Sequence, residues 1–354
     1  MAVVSSDFLS SDEAYQRHIL QGVSRTFALT IPALPPPLCR VVGNAYLLCR
    51  IADTVEDEAT LSSDQKRYFS ESFSSVLERG AGALNFASEL YPLLSEQTLD
   101  AERELVQNTP RVVRVTETFS ATEQAALRRC VRIMSRGMAE FQEAENPFGL
   151  NDLAQLDRYC YHVAGVVGEM LTELFCEHVS DVRAKRESLL ALAVSFGQGL
   201  QMTNILKDIW EDHARGACWL PKDIFLAAGF DLQTLDPAVV SPAFAKGLTT
   251  LIGVARAHLE NALEYTLSFP AHEVGVRKFC LWAIGMAVLT LRRIHANLVF
   301  RTGEEVKISR RSVKSTVLIS TLIARNDTLL RLAFAALMRG LPGSAGHVVA
   351  PTSS

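Results

Sequence analysis

Two short acidic segments carry side chains whose type and spacing suit one kind of chemistry. In Arg50-Ile-Ala-Asp53-Thr-Val-Glu56-Asp57-Glu58, Asp53 and Asp57 lie four residues apart. On a helix both carboxylates then share a face, with Glu56 flanking it. The segment Gln201-Met-Thr-Asn204-Ile-Leu-Lys207-Asp208-Ile-Trp-Glu211-Asp212 repeats the spacing at Asp208 and Asp212, again with a Glu just before the second Asp. Gln201, Asn204 and Asp208 fall near one face of that helix. Like charges at this spacing cost a few tenths of a kcal/mol in an isolated helix, a cost that a cation between them offsets. Mg²⁺ takes hard oxygen ligands and is usually held by one or two carboxylates together with substrate phosphates. Two such pairs facing each other would form a cup for about two or three Mg²⁺ ions and a diphosphate. A solvated acidic face accounts for either motif alone. Two D-x-x-E-D copies, each beside apolar residues (Ile51 and Ala52, Ile205 and Ile209), favour a lined cavity.

The elements that position these groups read as helices. Helical periodicity dominates, strand-like alternation is scarce, and no Asn-Gly or Asp-Gly hairpin signal occurs. The pattern predicts helices over 12–30, 38–58, 64–79, 84–94, 99–107, 121–142, 152–178, 183–213, 239–268, 273–301 and 309–339. Breaks are expected at Ile31–Pro37, Pro110, Asn146-Pro147, Pro221, Asp236-Pro237 and Pro270. The expectation is an all-α protein with one domain over 13–339, a flexible N-terminus over 1–12 and a disordered tail over 340–354.

Composition narrows the function. Hydrophobic residues make up 48%, enough for a sizeable core, and a net charge of −4 supplies no basic field for nucleic acid. An anionic ligand must therefore be held by local cations or metal ions. Seven cysteines without a C-x-x-C pair read as buried free thiols rather than a metal or disulfide framework. The N-terminus lacks the basic-then-apolar pattern of a secretory leader. The longest apolar run, Phe279 to Leu291, is shorter than the roughly 20 residues a membrane span needs. These features predict a cytoplasmic protein. The apolar stretches 273–301 and 309–339 suit either core packing or peripheral contact with the inner face of a membrane.

Five motifs together resemble the squalene/phytoene synthase family: Ser24-Arg25-Thr26-Phe27, Ala45 to Glu58, Tyr159 to Gly168 (YCYHVAGVVG), Gly199 to Asp212, and the exit Arg215-Gly216 with Trp219-Leu220-Pro221. The resemblance implies an isoprenoid-synthase bundle of helices around a central channel and a Mg²⁺-dependent head-to-head condensation of two farnesyl diphosphates. By the same resemblance, Asp53, Glu56, Asp57, Asn204, Asp208 and Asp212 would hold Mg²⁺, while Ser24, Arg25, Arg50, Lys207 and Arg215 would contact diphosphate oxygens. Tyr159 would shuttle the proton lost as presqualene diphosphate forms. Phe27, Val163, Gly165, Val166, Gln201 and Phe279 would line the channel, and Asn204, Lys307 and Arg310 would serve NADPH. The residues by themselves leave plainer roles open: a core tyrosine at 159, a structural His162, a core phenylalanine at 279, and a solvated helix start at Lys307, Arg310, Arg311 and Lys314. Gly165 and Gly168 are expected to let helices approach closely in either case.

The branch of the family is a separate question. Val306-Lys307-Ile308-Ser309-Arg310 and Phe279-Cys280 resemble the squalene-forming branch, which uses NADPH and would hand its product to squalene-processing enzymes. Ala283-Ile284 stands where that branch commonly has Pro-Gln, and Lys207 stands where an Arg is usual, keeping the charge but losing the bidentate fork. The Arg215-Gly216 and Leu220-Pro221 exit looks more like phytoene and dehydrosqualene synthases, which need no reductant. Squalene is the expected product. The alternatives are phytoene or dehydrosqualene, an enzyme that stops at presqualene diphosphate, or a catalytically dead scaffold, which the presence of all four aspartates and Tyr159 argues against.

Overall fold

The computed structural model describes residues 6–24, 26–143, 147–238 and 241–344. Every regular element among them is helical, seventeen α-helices in all, joined by short turns and one isolated parallel bridge between Leu150 and Pro221. The protein is all-α, as the periodicity predicts. The pattern predicts one domain; contacts within the chain divide it into two compact units, Met1–Glu143 with Met170–Arg183, and Ala144–Glu169 with Ala184–Ser354.

The first unit contains α1 (Ser6–Val23), α2 (Phe27–Thr30), α3 (Pro36–Asp57), α4 (Ser63–Arg79), α5 (Ala83–Leu90), α6 (Asp100–Gln107), α7 (Thr109–Thr116) and α8 (Ala121–Glu143). Residues 6–12, expected to be flexible, are helical. The buried carboxylate of Asp12 accepts from Arg111 Nε at 2.7 Å and Arg114 Nε at 2.9 Å, which ties α1 to α7. The break expected at Pro110 falls at Asn108, between the end of α6 and the start of α7, and Pro110 begins the new helix rather than only ending the old one. It sits in the first turn of α7, where its missing N–H has no intrahelical partner to lose. Proline starts α3 for the same reason, and a capping box between Ser62 and Gln65 starts α4, which Gly80 ends in the left-handed region. Within α3, the fully buried Asn44 donates to Gln16 Oε1 and Val112 O, each at 2.9 Å, and accepts from Thr116 Oγ1 at 2.9 Å. One polar side chain thus fixes the register of α1, α3 and α7.

The second unit begins with α9 (Leu153–Cys160), which passes through one π-helical turn, Tyr161–Gly165, into α10 (Val166–His178); α10 from Met170 onward belongs to the first unit. It continues with α11 (Arg186–Lys207), α12 (Ile209–Ala214), α13 (Lys222–Ala227), α14 (Pro242–Leu267), α15 (Val274–Ala296), α16 (Arg310–Ile323) and α17 (Asp327–Met338). The helix expected over 183–213 is broken at Asp208, and the one expected over 309–339 is broken at Ala324–Asn326, where Asn326 caps α17 by accepting from Leu329 N. Glycine lets two of these helices touch backbone to backbone. A Cβ on Gly168 would lie 2.2 Å from Ala193 O, and one on Gly197 would lie 2.2 Å from Ala164 O. The buried guanidinium of Arg277 joins the end of α14 to the α16–α17 connection: it donates to Phe269 O, to Ala324 O at 2.9 Å and to Asp327 Oδ1 at 2.7 Å.

The break expected at Asn146-Pro147 and the tail from 345 to 354 lie wholly or partly outside the described residues. Residues 340–344, expected to be disordered, are packed: Leu341 is buried, and its carbonyl accepts from Arg256 Nη1 at 2.7 Å. None of the seven cysteines forms a disulfide, and all but Cys39 are buried. Two helical stretches, Ser180–Lys207 and Val274–Ala296, are long and apolar enough to cross a membrane by length and composition alone. The second exceeds the apolar run read from the sequence because flanking residues extend the helix. Most of each stretch is buried in the protein, which core packing explains.

Candidate active site

In the first unit the site is built on the last two turns of α3. Asp53 is half-buried, and Arg50 Nη1 lies 3.8 Å from its Oδ2. Arg50 also reaches Glu102 Oε1 on α6 at 3.5 Å and donates to Tyr46 OH at 3.2 Å, whose hydroxyl donates to Val23 O at 3.1 Å. Phe27 packs on the Tyr46 ring with centroids 5.1 Å apart, and Ser24 Oγ accepts from Phe27 N at 2.9 Å. Ser24, Phe27, Arg50, Asp53 and Asp57 are therefore brought together, with Ser24 bonded to the first residue of α2. Arg25 lies outside the described residues.

Negative charge is in excess here. Burial pushes the Asp53 carboxyl up from 3.8 to about 7; Arg50 opposes this, while Asp57 and Glu102 add to it. Glu102 is likewise raised, first by burial. Asp57 is exposed and Glu56 half-buried at the end of the helix. The ammonium of Lys66 on α4 donates to the Glu56 carbonyl, and its pKa is lowered by burial against the pull of Glu56, Asp57 and Glu58.

Glu58 has a different environment. It accepts from Thr60 N and Oγ1, Ser95 N and Oγ, and Thr98 Oγ1 at 2.6 to 3.2 Å, and it is 2% exposed. These donors outweigh burial and lower its pKa to about 2. Glu58 is the anchor that fixes where the acidic helix ends.

In the second unit the other pair straddles the break between α11 and α12. Asp208 N still donates to Asn204 O and Asp212 N to Asp208 O, each at 2.9 Å, so the four-residue spacing keeps its helical form across the break. Lys207 Nζ lies 3.0 Å from Asp208 Oδ2, and Arg215 Nη2 pairs with Asp212 Oδ1. Burial raises the Asp208 pKa, opposed by Lys207 and Arg215 and assisted by Glu211. Glu211 is occupied structurally: its Oε1 accepts from Gly303 N at 2.8 Å. A Cβ on Gly303 would meet Glu211 Oε1 at 3.1 Å, Lys207 O at 3.2 Å and Asp208 Oδ1 at 3.3 Å, so only glycine fits that approach without displacement. Trp210 Nε1 donates to Phe300 O at 2.7 Å and holds the same turn against α12.

Tyr159 is buried and stacked on Trp219, centroids 4.0 Å apart and planes 8° from parallel. Gln198 Nε2 donates to Asp157 O at 3.0 Å and ties α9 to α11. The π-turn follows at once, a form often found at functional sites. His162 lies in it, edge-on to Tyr161. Val166 and Phe279 are buried, as is Gly165; Val163 and Gln201 are half-buried, and Asn204 is exposed. Lys307 pairs with Glu304, and Arg310 is exposed at the start of α16, capped by Ser309.

A family model described as squalene/phytoene synthase matches residues 20–312, a span that holds both acidic pairs, Tyr159 and Gly303. The chain belongs to the squalene/phytoene synthase family. Among similar relatives, squalene synthase ERG9 of Gibberella zeae is 30% identical over 302 residues, 84% of this chain and 60% of that protein. A squalene synthase of Eremothecium gossypii is 28% identical over 292 residues, 82% of this chain and 64% of that one. The chain thus spans less than two thirds of either relative. Among solved structures, the complex of TcSQS with the ligand BPH1237 superposes with a TM-score of 0.74 at 26% identity, covering 93% of both chains. A dehydrosqualene synthase in complex with ligand superposes at 0.65 with 20% identity, covering 92% of this chain and 99% of that one, which speaks to the fold alone.

Three residues near these groups, Glu102, Lys66 and Gly303, lie outside the motifs read from the sequence, and Glu58, within the first acidic motif, had no role assigned to it. No group of three or more His, Cys, Asp or Glu side chains among the described residues stands ready to hold a metal ion. Mg²⁺ is usually held by one or two carboxylates together with phosphate oxygens and water. The carboxyl excess around Asp53 is a donor set that suits a divalent cation.

Proposed function

We propose that the protein is a Mg²⁺-dependent squalene synthase, joining two farnesyl diphosphates head to head through presqualene diphosphate and reducing the product with NADPH. The observation that carries this reading is the alternation of carboxylate and cation in each unit: Arg50 beside Asp53, and Lys207 and Arg215 beside Asp208 and Asp212. A bare acidic face would not need the cations. A diphosphate needs both, since the cations donate to its oxygens and the carboxylates hold its counter-ions.

Asp53 and Asp57 would hold Mg²⁺ in one unit, and Asp208 and Asp212 in the other, each with a diphosphate. Bound there, Mg²⁺ supplies neutralisation of the charge that develops on a leaving diphosphate. Arg50, Lys207 and Arg215 orient the diphosphate oxygens. Loss of one diphosphate leaves an allylic cation, which the double bond of the second farnesyl chain attacks. One proton then leaves as the cyclopropane closes. Tyr159, immobilised against Trp219, passes that proton toward the departed diphosphate. The buried apolar side chains Val166 and Phe279 exclude water, which would quench the cation.

For the reductive half, Asn204, Lys307 and Arg310 would hold NADPH, which supplies a hydride. The turn that precedes Lys307 packs its Gly303 backbone on Glu211 and Asp208, which supports a cofactor near the second acidic pair. The relatives named squalene synthase, at 28% and 30% identity, support this branch.

The test is product analysis by mass spectrometry of purified protein with farnesyl diphosphate and Mg²⁺, with and without NADPH. Squalene formed only with NADPH is expected. Dehydrosqualene, or accumulated presqualene diphosphate unchanged by NADPH, would overturn the reductive half while leaving the condensation. No Mg²⁺-dependent product would overturn both.

A further inference from the structure

Large apolar side chains left in water are concentrated on one part of the second unit. Among the described residues fourteen large hydrophobic side chains are exposed, and five of them, Leu318, Ile319, Leu322, Leu329 and Leu332, fall within fifteen residues of sequence on α16 and α17. No residue of α16 is buried. Its exposed positions are Arg310, Arg311, Lys314, Ser315, Leu318, Ile319 and Leu322, a single stripe at steps of three and four. The stripe is basic at its start and apolar at its end. Leu329 and Leu332, three residues apart, share a face at the start of α17.

The charge of the hairpin is one-sided. From Arg310 to Arg339 there are six cations (Arg310, Arg311, Lys314, Arg325, Arg331 and Arg339) and one acid, Asp327, in a chain whose net charge is −4. Asp327 is bound to Arg277, and Arg331 to Glu264. Arg311, Lys314 and Arg325 are exposed and have no acidic partner within reach among the described residues. The Arg277 network, pinned to the Ala324 carbonyl, fixes the connection between the two helices and hence which faces turn outward. Apolar side chains flanked by unpaired cations match a surface with an apolar interior beneath an anionic layer. A second copy of the same face would set these cations against each other.

We propose that the α16–α17 hairpin docks the protein on an anionic lipid bilayer, with Leu318, Ile319, Leu322, Leu329 and Leu332 entering the headgroup boundary and Arg311, Lys314 and Arg325 contacting lipid phosphates. The contact is peripheral, made by side chains of folded helices without a spanning segment. It does not depend on the catalytic reading, because binding is measured without turnover.

The test is flotation of the full chain with vesicles of phosphatidylcholine alone and of phosphatidylcholine containing about one quarter phosphatidylglycerol. The chain is expected to float with the anionic vesicles at low ionic strength and to be largely released at about 0.5 M salt, where screening shortens charge attraction to a few ångströms. The triple variant Leu318→Ser, Leu322→Ser, Leu332→Ser is expected to lose vesicle binding about tenfold or more. The variant Arg311→Glu, Lys314→Glu, Arg325→Glu is expected to lose the preference for anionic vesicles. Both should keep the helical circular-dichroism signal and unfolding midpoint, since every substituted side chain is exposed. Absence of flotation, equal flotation with neutral vesicles, or undiminished flotation of the leucine variant would overturn the proposal. So would dimerisation in sedimentation velocity that the leucine substitutions abolish in a chain that never floats, which would assign the face to a second copy.

Discussion

Replacing Glu58 by glutamine tests how the acidic helix α3 is held. The wild-type carboxylate is 2% exposed and accepts from two backbone N–H groups and three hydroxyls. Its pKa falls from 4.5 to about 2 in the fold. A pKa difference of this size is worth about 3 kcal/mol of stability at neutral pH, at 1.36 kcal/mol per unit. Because the folded value is depressed, that stability is present above the unfolded value of 4.5 and is lost as pH falls toward the folded value of about 2. At pH 3 the ionised form contributes only about 1.4 kcal/mol. The side chain introduced by Glu58→Gln cannot ionise, and its amide presents N–H groups to donors that need an acceptor, which adds a part that does not vary with pH. Urea unfolding of both proteins, followed by helical circular dichroism at pH 7 and pH 3, measures the gap between them. It should shrink by about 2 kcal/mol over that interval. A gap that does not change with pH, or that is under about 1 kcal/mol at pH 7, would refute the assignment of Glu58 as an ionised anchor.

Other substitutions separate catalysis from stability. Asp53→Asn should abolish turnover yet raise the thermal midpoint of the metal-free protein at pH 8, because burial lifts the Asp53 pKa to about 7 and its ionised form opposes folding there; a lowered midpoint would contradict the buried-charge reading. The apparent affinity for Mg²⁺ should weaken as pH falls through about 7, where Asp53 takes up a proton, and a pH-independent affinity from 8 to 6 would place the ion elsewhere. Tyr159→Phe should leave the Trp219 stacking and the fold intact while blocking presqualene diphosphate formation; an unchanged rate would return Tyr159 to a packing role. Arg277→Ala should cost about 3 kcal/mol in urea unfolding, since it leaves the Phe269 and Ala324 carbonyls buried without donors; a loss under about 1 kcal/mol would mean that water replaces the guanidinium.

The sequence made the acidic pairs legible because both partners of each pair lie within one helical turn, where spacing alone decides which side chains meet. The tyrosine segment and the glycines that bring α9 and α10 against α11 were legible for a similar reason, since small residues in an apolar helix signal a close crossing. The breaks were less so. Apolar periodicity runs unbroken through Asp208 and through Ala324–Asn326, and neither break was read from it. Pro110 was read as a break, and α6 does end beside it, but the short helix α7 that the same proline starts was not read. Glu102, Lys66 and Gly303 could not be found this way. They reach α3 or α12 from other elements, 49, 10 and 92 residues away from Asp53, Glu56 and Glu211 in turn, and no local pattern encodes such a meeting. The exposed stripe on α16 was also hidden, because a periodic apolar pattern looks the same whether its face is covered or bare.

Asp53 and Glu58 show why the site and its support need different environments from one helix. Both are carboxylates at the end of α3, five residues apart, and both are removed from water to a large degree. Glu58 meets five donors and no neighbouring carboxylate in hydrogen-bond contact, so its charge is favoured and the helix end is held. Asp53 meets one cation at 3.8 Å and two carboxyl neighbours, so its charge is disfavoured until a cation arrives. Interchanging their surroundings would satisfy Asp53 with N–H and O–H donors and leave it no lone pair for a metal ion. On the proposed function, the destabilised carboxylate would make cation binding favourable, while the stabilised one about one helical turn beyond it holds the helix end. Activity and metal affinity should accordingly respond to Glu58 through the position of the helix end, and to Asp53 through the carboxylate itself.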